Sequence, residues 1–354
     1  MKNKIALASA FLAASSFSTA EIVINEFLSF EGFVDMSYSH TDQEIGAAQS
    51  NSNSYGLDQV EVVWLFDFDP VTAQIDFAHE GSDNGNQFTG VEQAFATYHM
   101  EGGAAFTAGR FSSMLGFEAF EPTGLYQYSF AYNDSEDLNS AFNIIAGGIL
   151  PGYDQGVKYT YESDNTFFGI SLVDGAVSPF QGAGRLGGGS GPFNFQGGSY
   201  AVEVAVAQDL GNGFSVFGGG RYTDGDSGGI VGVETQTVLN GYVTYETGAW
   251  VFAAELAYGE AEFPGGAADA EVTQGLLMAN FAYSDAASLT GRVSFVDGDQ
   301  GTGTGEDFTK YTVAHGYAFT DNLFLVNEIS MVDGDFQNTD VEELHAAVEL
   351  IFSF

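Results

Sequence analysis

Segments of roughly ten residues in which apolar and polar side chains alternate strictly recur along this chain, and no other feature limits its fold so tightly. At the C-terminus Leu344, Ala346, Val348, Leu350, Phe352 and Phe354 share one side, opposed by Glu343, His345, Ala347, Glu349 and Ser353, with Ile351 the one break. Near the N-terminus Leu28, Phe30, Gly32, Val34, Met36 and Tyr38 oppose Ser29, Glu31, Phe33, Asp35 and Ser37, and Trp250, Phe252, Ala254, Leu256 and Tyr258 repeat the pattern. Successive side chains of a strand point to opposite faces, so each segment is a strand with one greasy face and one polar or small face. After residue 20 no window holds 18 consecutive apolar residues, which excludes a membrane-spanning helix there.

The connections alternate too. Turn-forming residues at Asp67-Phe68-Asp69-Pro70, Gly102-Gly103, Asp164-Asn165, Gly211-Asn212-Gly213, Gly248-Ala249, Asp285-Ala286-Ala287 and Asp321-Asn322 make short hairpin connections. Longer connections are expected near 40–54, 81–90, 112–155, 175–198, 225–235, 260–271, 298–307 and 334–340. Together these join about 16 strands, an even number with short turns at one end and long loops at the other. The expected fold is all-β, a transmembrane antiparallel β-barrel with periplasmic turns and extracellular loops. A soluble sandwich also alternates, but two inner sheet faces could not cover an apolar face on every strand. Trp64, Phe66, Phe68 and Trp250 stand at strand ends, where interfacial aromatic girdles form.

Lys2 and Lys4, the apolar run Ile5 to Phe17 and the small residues Ser18-Thr19-Ala20 read as a signal peptide over residues 1–20, leaving 21–354 as a single barrel domain. The chain has 48 acidic and 8 basic residues, two of the bases in that leader, and no cysteine. So few bases exclude nucleic-acid binding. The missing thiols exclude disulfides, thiol catalysis and cysteine-based metal sites.

The terminal strand Leu344–Phe354 resembles the C-terminal signature of Gram-negative outer-membrane proteins, whose final aromatic, here Phe354, is read by the barrel assembly machinery. The segment Phe106-Thr-Ala-Gly-Arg-Phe-Ser-Ser-Met-Leu-Gly-Phe-Glu118 is similar to the Gly-(Lys/Arg)-Phe…Gly-(Phe/Tyr)-Glu segment of the OmpL-like β-barrel porins, and Glu21–Tyr38 resembles that family's first strand. The resemblance implies an outer-membrane setting among lipid, a constriction loop at 112–155 folded into the barrel and, by analogy to general porins, a homotrimer.

Sixteen strands enclose a lumen wide enough for water. The expected function is therefore passive diffusion of ions and small hydrophilic solutes, with mild cation selectivity from the acids. A non-conducting barrel acting through its loops as an adhesin or surface-layer anchor is the alternative. The long loop carries Glu118, Glu121, Asp134, Glu136, Asp137 and Asp154, and Arg110 leads into it. Alternation places Lys158, Arg221, Arg292 and Lys310 on the lumen side, suggesting a transverse field between wall bases and the acidic loop. No cofactor is expected. Asp-Gly-Asp at 224–226, 297–299 and 333–335 could offer oxygens to Ca²⁺, but without EF-hand spacing reads first as solvated turn. No nucleophile context accompanies His40, His79, His99, His315 or His345, so an enzyme is not expected.

Overall fold

The computed structural model describes residues 21–80, 88–132, 149–174, 200–224, 234–263, 265, 268–299, 305–336 and 338–354. The expected signal peptide at 1–20 lies outside them. A short strand β1 (Ile22–Asn25) precedes the long strands β2 (Leu28–Ile45), β3 (Ala48–Asp67), β4 (Val71–Glu80), β5 (Phe88–His99), β6 (Ala104–Ser112), β7 (Tyr153–Glu162), β8 (Thr166–Asp174), β9 (Tyr200–Gly211) and β10 (Phe214–Asp224). Then follow β11 (Thr235–Thr247), β12 (Trp250–Glu262), β13 (Ala270–Ser284), β14 (Ala287–Asp299), β15 (Gly305–Thr320), β16 (Leu323–Phe336) and β17 (Thr339–Ser353).

From β2 onward each strand pairs antiparallel with the next, and β17 pairs with β2 from Val341↔Ile45 to Ser353↔Phe33. The sixteen strands β2–β17 thus form a closed barrel without an open edge. At the seam Gly32 and Phe354 exchange both backbone hydrogen bonds, at 2.8 and 2.9 Å. Strand β1 then folds back on β2 beyond the point where β17 ends, pairing Ile22 with Phe30.

The strands are inside-out by the standard of a water-soluble protein. Ile329 is 61% exposed between Glu328 and Ser330, each 2% exposed. Val313 stands out between buried Thr312 and Ala314 in the same way. Putting aliphatic side chains outside and carboxylates inside is favourable only where the outside is hydrocarbon. Across the short-turn ends of β10–β13, the rings of Phe214, Tyr245, Phe252, Trp250 and Phe281 stack in succession with centroids 4.0, 6.3, 5.5 and 4.5 Å apart. Such a belt suits the membrane–water interface, where aromatic side chains collect.

Two expected loops are strand instead. Strands β2 and β3 run on through 40–54 and turn at Gly46-Ala47, and β16 and β17 likewise extend through most of 334–340. Residues 48–53 are exposed on both faces. A ladder that meets water on both sides needs no apolar face, so alternation disappears while the pairing continues.

Candidate functional site

The connection between β6 and β7 turns inward, and the segment quoted above for its family resemblance sets its route. Gly109 has φ +138°, and a side chain there would strike the carbonyl oxygen of Ala94 and the Cα of Phe95. Only glycine lets β6 approach β5 this closely. Arg110 then donates from Nε to the Glu92 carbonyl oxygen at 2.8 Å. Phe111 is buried with Val173 and Ala201, and the Lys158 ammonium stands 4.4 Å from its ring centroid.

Beyond Ser112 the chain leaves its own wall and crosses to the opposite one. The Ser113 hydroxyl and the Met114 N–H donate to Glu203 on β9 at 2.6 and 2.7 Å. The Gly116 N–H donates to Asn240 on β11 at 3.0 Å and the Phe117 N–H to Glu255 on β12 at 2.7 Å. Backbone amides left without a ladder partner are thus satisfied by side chains of the barrel's inner wall.

Glu118 reaches Arg292 on β14 at 2.5 Å. The same carboxylate accepts from Gln127 Nε2 and the Ala131 N–H, each at 2.8 Å. Arg292 also donates to the carbonyl oxygens of Ser129 and Phe130, and Lys310 Nζ to that of Phe130 at 3.1 Å. Farther round, the Ser129 N–H and hydroxyl donate to Glu328 on β16 at 3.0 and 2.5 Å, and Tyr128 stacks on His345 of β17 with centroids 5.7 Å apart. The Tyr132 hydroxyl donates to Glu255 at 2.8 Å, and burial beside that carboxylate holds its pKa well above the usual phenol value. Arg221 pairs with Asp154 at the start of β7.

Arg221, Arg292 and Lys310 therefore touch acids or carbonyls directly, while Lys158 stands over the Phe111 ring. For Arg292 and Arg221 the expected field across open lumen is replaced by contact ion pairs, which cancel most of each other's potential at a distance.

The lumen is divided by chemistry. Leu115, Phe117, Ala131, Tyr132 and Ile149 of the inturned segment pack on Ala205, Phe217, Val238, Tyr242, Ala253, Leu276 and Met278 of β9–β13. On the other side Glu121 accepts from Gln59 Nε2 at 2.6 Å and from the Tyr153 hydroxyl at 2.9 Å. There Glu61 of β3, Glu92 of β5 and Glu121 bring carboxylate oxygens within 4.8 Å of one another. Asp35 of β2 and Asp76 of β4 are fully buried on the same inner wall.

Sequence reasoning singled out Glu118 and Glu121 but missed Glu61, Asp76 and Glu92. Glu61 was within reach, since Gln59, Glu61 and Val63 alternate with Val60, Val62 and Trp64. Glu92 was not. The pairing of β4 with β5 shifts between Ile75 and Phe77, so counting by twos loses the inward face.

Asp134, Glu136 and Asp137 lie outside the described residues, as do residues 225–226 of the first Asp-Gly-Asp. The other two Asp-Gly-Asp tripeptides belong to strands β14 and β16, not to turns, with Asp297 and Asp299 exposed. His315 lies on the outer side against the Tyr283 hydroxyl at 2.7 Å, and His40 sits 3.2 Å from Asp42.

The barrel is similar to the anion-selective porin from Comamonas acidovorans, at 12% identity and a TM-score of 0.63 over 92% of this chain and 99% of that one. It is also similar to OmpT of Vibrio cholerae, at 13% identity and 0.62 over 94% and 100% of the two chains. Salmonella typhi OmpF in complex with daunomycin gives 14% identity and 0.62 over 95% and 100%. At such identities the likeness concerns the fold alone. No protein of curated function matches the chain. The family model described as "Putative beta-barrel porin-2, OmpL-like" matches residues 28–354, the whole of the closed barrel, and the chain belongs to that family.

Proposed function

We propose that this barrel is a passive-diffusion channel of the outer membrane for ions and small hydrophilic solutes, with a preference for cations. One observation carries the reading. The inturned segment packs its apolar residues on β9–β13, while Asp35, Glu61, Asp76, Glu92 and Glu121 gather on the β2–β5 side, which gives that side of the lumen an acidic wall. Arg292 and Lys310 are engaged by the segment and Arg221 by Asp154, so they offer little to a passing anion. A wall of one sign raises the local concentration of the opposite ion. Residues 112–155 then act as a constriction loop.

The test is reconstitution of the full-length protein in a planar bilayer with a salt gradient. The expected result is stepwise conductance with a reversal potential favouring the cation, weaker as salt is raised and the Debye length falls from about 10 Å at 0.1 M to about 3 Å at 1 M. A reversal potential favouring chloride would overturn the preference. A second reading, a sealed barrel that presents its outer turns as an adhesin or surface-layer anchor, is favoured by the many bonds tying residues 113–132 to the wall; absence of conductance would select it. Trimer assembly is a further expectation, supported by the trimer form described for Vibrio cholerae OmpT. Chemical crosslinking in detergent tests it.

A further inference from the structure

We infer that Glu255 on β12 is the positioning residue of the constriction. Its one carboxylate holds both ends of residues 117–132 together and makes of them a preformed lobe, which it sets in the lumen by its geometry rather than by its charge. The Phe117 N–H donates to Glu255 Oε1 at 2.7 Å and the Tyr132 hydroxyl to Oε2 at 2.8 Å. These donors stand at opposite ends of the lobe, and Glu255 is only 5% exposed. The neighbouring strand sets its orientation. Asn240 of β11 donates from Nδ2 to Glu255 Oε1 at 2.9 Å, while its Oδ1 takes the Gly116 N–H. A wall pair thus receives two successive amides where the chain turns at Gly116, with φ +109°.

A second tie lies one residue farther in. Glu118 accepts the Ala131 N–H at 2.8 Å, and the Ala131 carbonyl oxygen accepts from the Ser294 hydroxyl on β14 at 2.6 Å. The neck of the lobe is therefore closed by side chains, 117 to 132 through Glu255 and 118 to 131 through Glu118. Inside the neck the lobe packs on itself. Gln127 donates back to Glu118 at 2.8 Å, the Gly124 N–H donates to the Glu121 carbonyl oxygen at 3.0 Å, and a side chain at Gly124 would strike the Cβ of Ala119. Close ends and internal packing are the marks of a compact Ω-loop. The far side of the lobe meets Glu328 through Ser129 and His345 through Tyr128, contacts that locate its tip.

Both Glu255 oxygens are taken by donors, so the residue serves the passage through the lobe it holds and not as a charge that a solute meets. Glutamine has the same shape. It keeps one oxygen for Phe117 and Asn240 and offers its amide to the Tyr132 oxygen, since a phenol accepts as well as donates. Leucine offers neither and leaves buried donors without a partner.

Chymotrypsin cuts after aromatic residues, and Phe117, Phe120, Tyr126, Tyr128, Phe130 and Tyr132 fill the lobe. The protease is applied to the folded full-length barrel in detergent. The wild type should resist it between 117 and 132, Glu255→Leu should be cut there at least about tenfold faster, and Glu255→Gln should regain most of the protection. Glu328→Leu, which frees the tip and leaves the neck, should be cut more slowly than Glu255→Leu. If Glu255→Leu does not reach the heat-modifiable folded form, Tyr132→Phe, a change in the lobe and not in the wall, is read in its place. Three outcomes overturn the proposal: a folded Glu255→Leu or Tyr132→Phe as resistant as the wild type, a Glu255→Gln cut as fast as Glu255→Leu, or a Glu328→Leu cut at least as fast as Glu255→Leu. Single-channel records add an arm that rests on the channel reading. There Glu255→Leu should give larger and noisier current, and Glu255→Gln should recover most of the quiet trace. A reversal potential moved toward chloride in a Glu255→Gln barrel that still resists the protease would show its charge acting on ions directly, and would also overturn the proposal. A silent bilayer with the expected protease pattern would refute the channel and leave the role of Glu255 standing.

Discussion

Arg292 shows how much one side chain carries here. Its guanidinium is fully buried and joins Glu118 to the carbonyl oxygens of Ser129 and Phe130, so it fixes three points of the inturned segment at once. Arg292→Met should strand Glu118 without its cation and weaken docking of the segment by about 3–5 kcal/mol, the scale for breaking a buried pair from one side. Single-channel records should then show larger and noisier current, and Arg292→Met combined with Glu118→Gln should recover part of the quiet baseline. An unaltered trace for Arg292→Met would show that the segment is held by its apolar contacts alone. The inward face of Arg292 was legible from its parity against Leu289, Val293 and Phe295. Its partner was not, because a partner across the lumen depends on where a loop goes, and alternation speaks only about the strand that bears the residue.

At the scale of the strand, periodicity was a good guide wherever one face meets lipid and the other does not. Strand β16 is the clearest case, with Ile329 outward and Glu328 and Ser330 inward. Ile329→Arg, near the middle of β16, should cost about 2–4 kcal/mol if that face contacts hydrocarbon. Asp321→Lys in the adjoining short turn should change stability by no more than about 0.5 kcal/mol. Urea unfolding in lipid vesicles measures both, and equal effects would contradict the lipid-facing assignment. Periodicity failed where that contrast between the faces is lost. Residues 48–53 meet water on both sides, and across β4–β5 a bulge moves the inward face by one residue. On β13, Leu276 and Met278 face inward and Leu277 outward, an apolar run that conceals the inner wall to which the segment docks.

For the molecule as a whole, that docking sets a greasy side of the lumen against an acidic side, a division that no stretch of sequence displays because it requires strands far apart to share one wall. Replacing residues 114–131 by a Gly-Ser linker of equal length should raise conductance, and liposome swelling should extend to larger sugars. Unchanged sugar permeation would mean that the narrowing lies elsewhere. Of the acids that belong to the wall, Glu61 was legible from inward parity and Glu92 was not, and their gathering beside Glu121 was legible from neither. The seam between Gly32 and Phe354 bears on time as well as space. The first long strand cannot complete its ladder until Phe354 has paired with Gly32, so a barrel not yet closed at this seam is a sheet with two unpaired edges. Pairing at such sequence separation is slow, so those edges stay exposed while the barrel closes. Deleting Phe354 should therefore reduce the rate at which the heat-resistant, fast-migrating form accumulates during refolding, with less effect on its final mobility. The barrel's most distant pair of residues sets its clock.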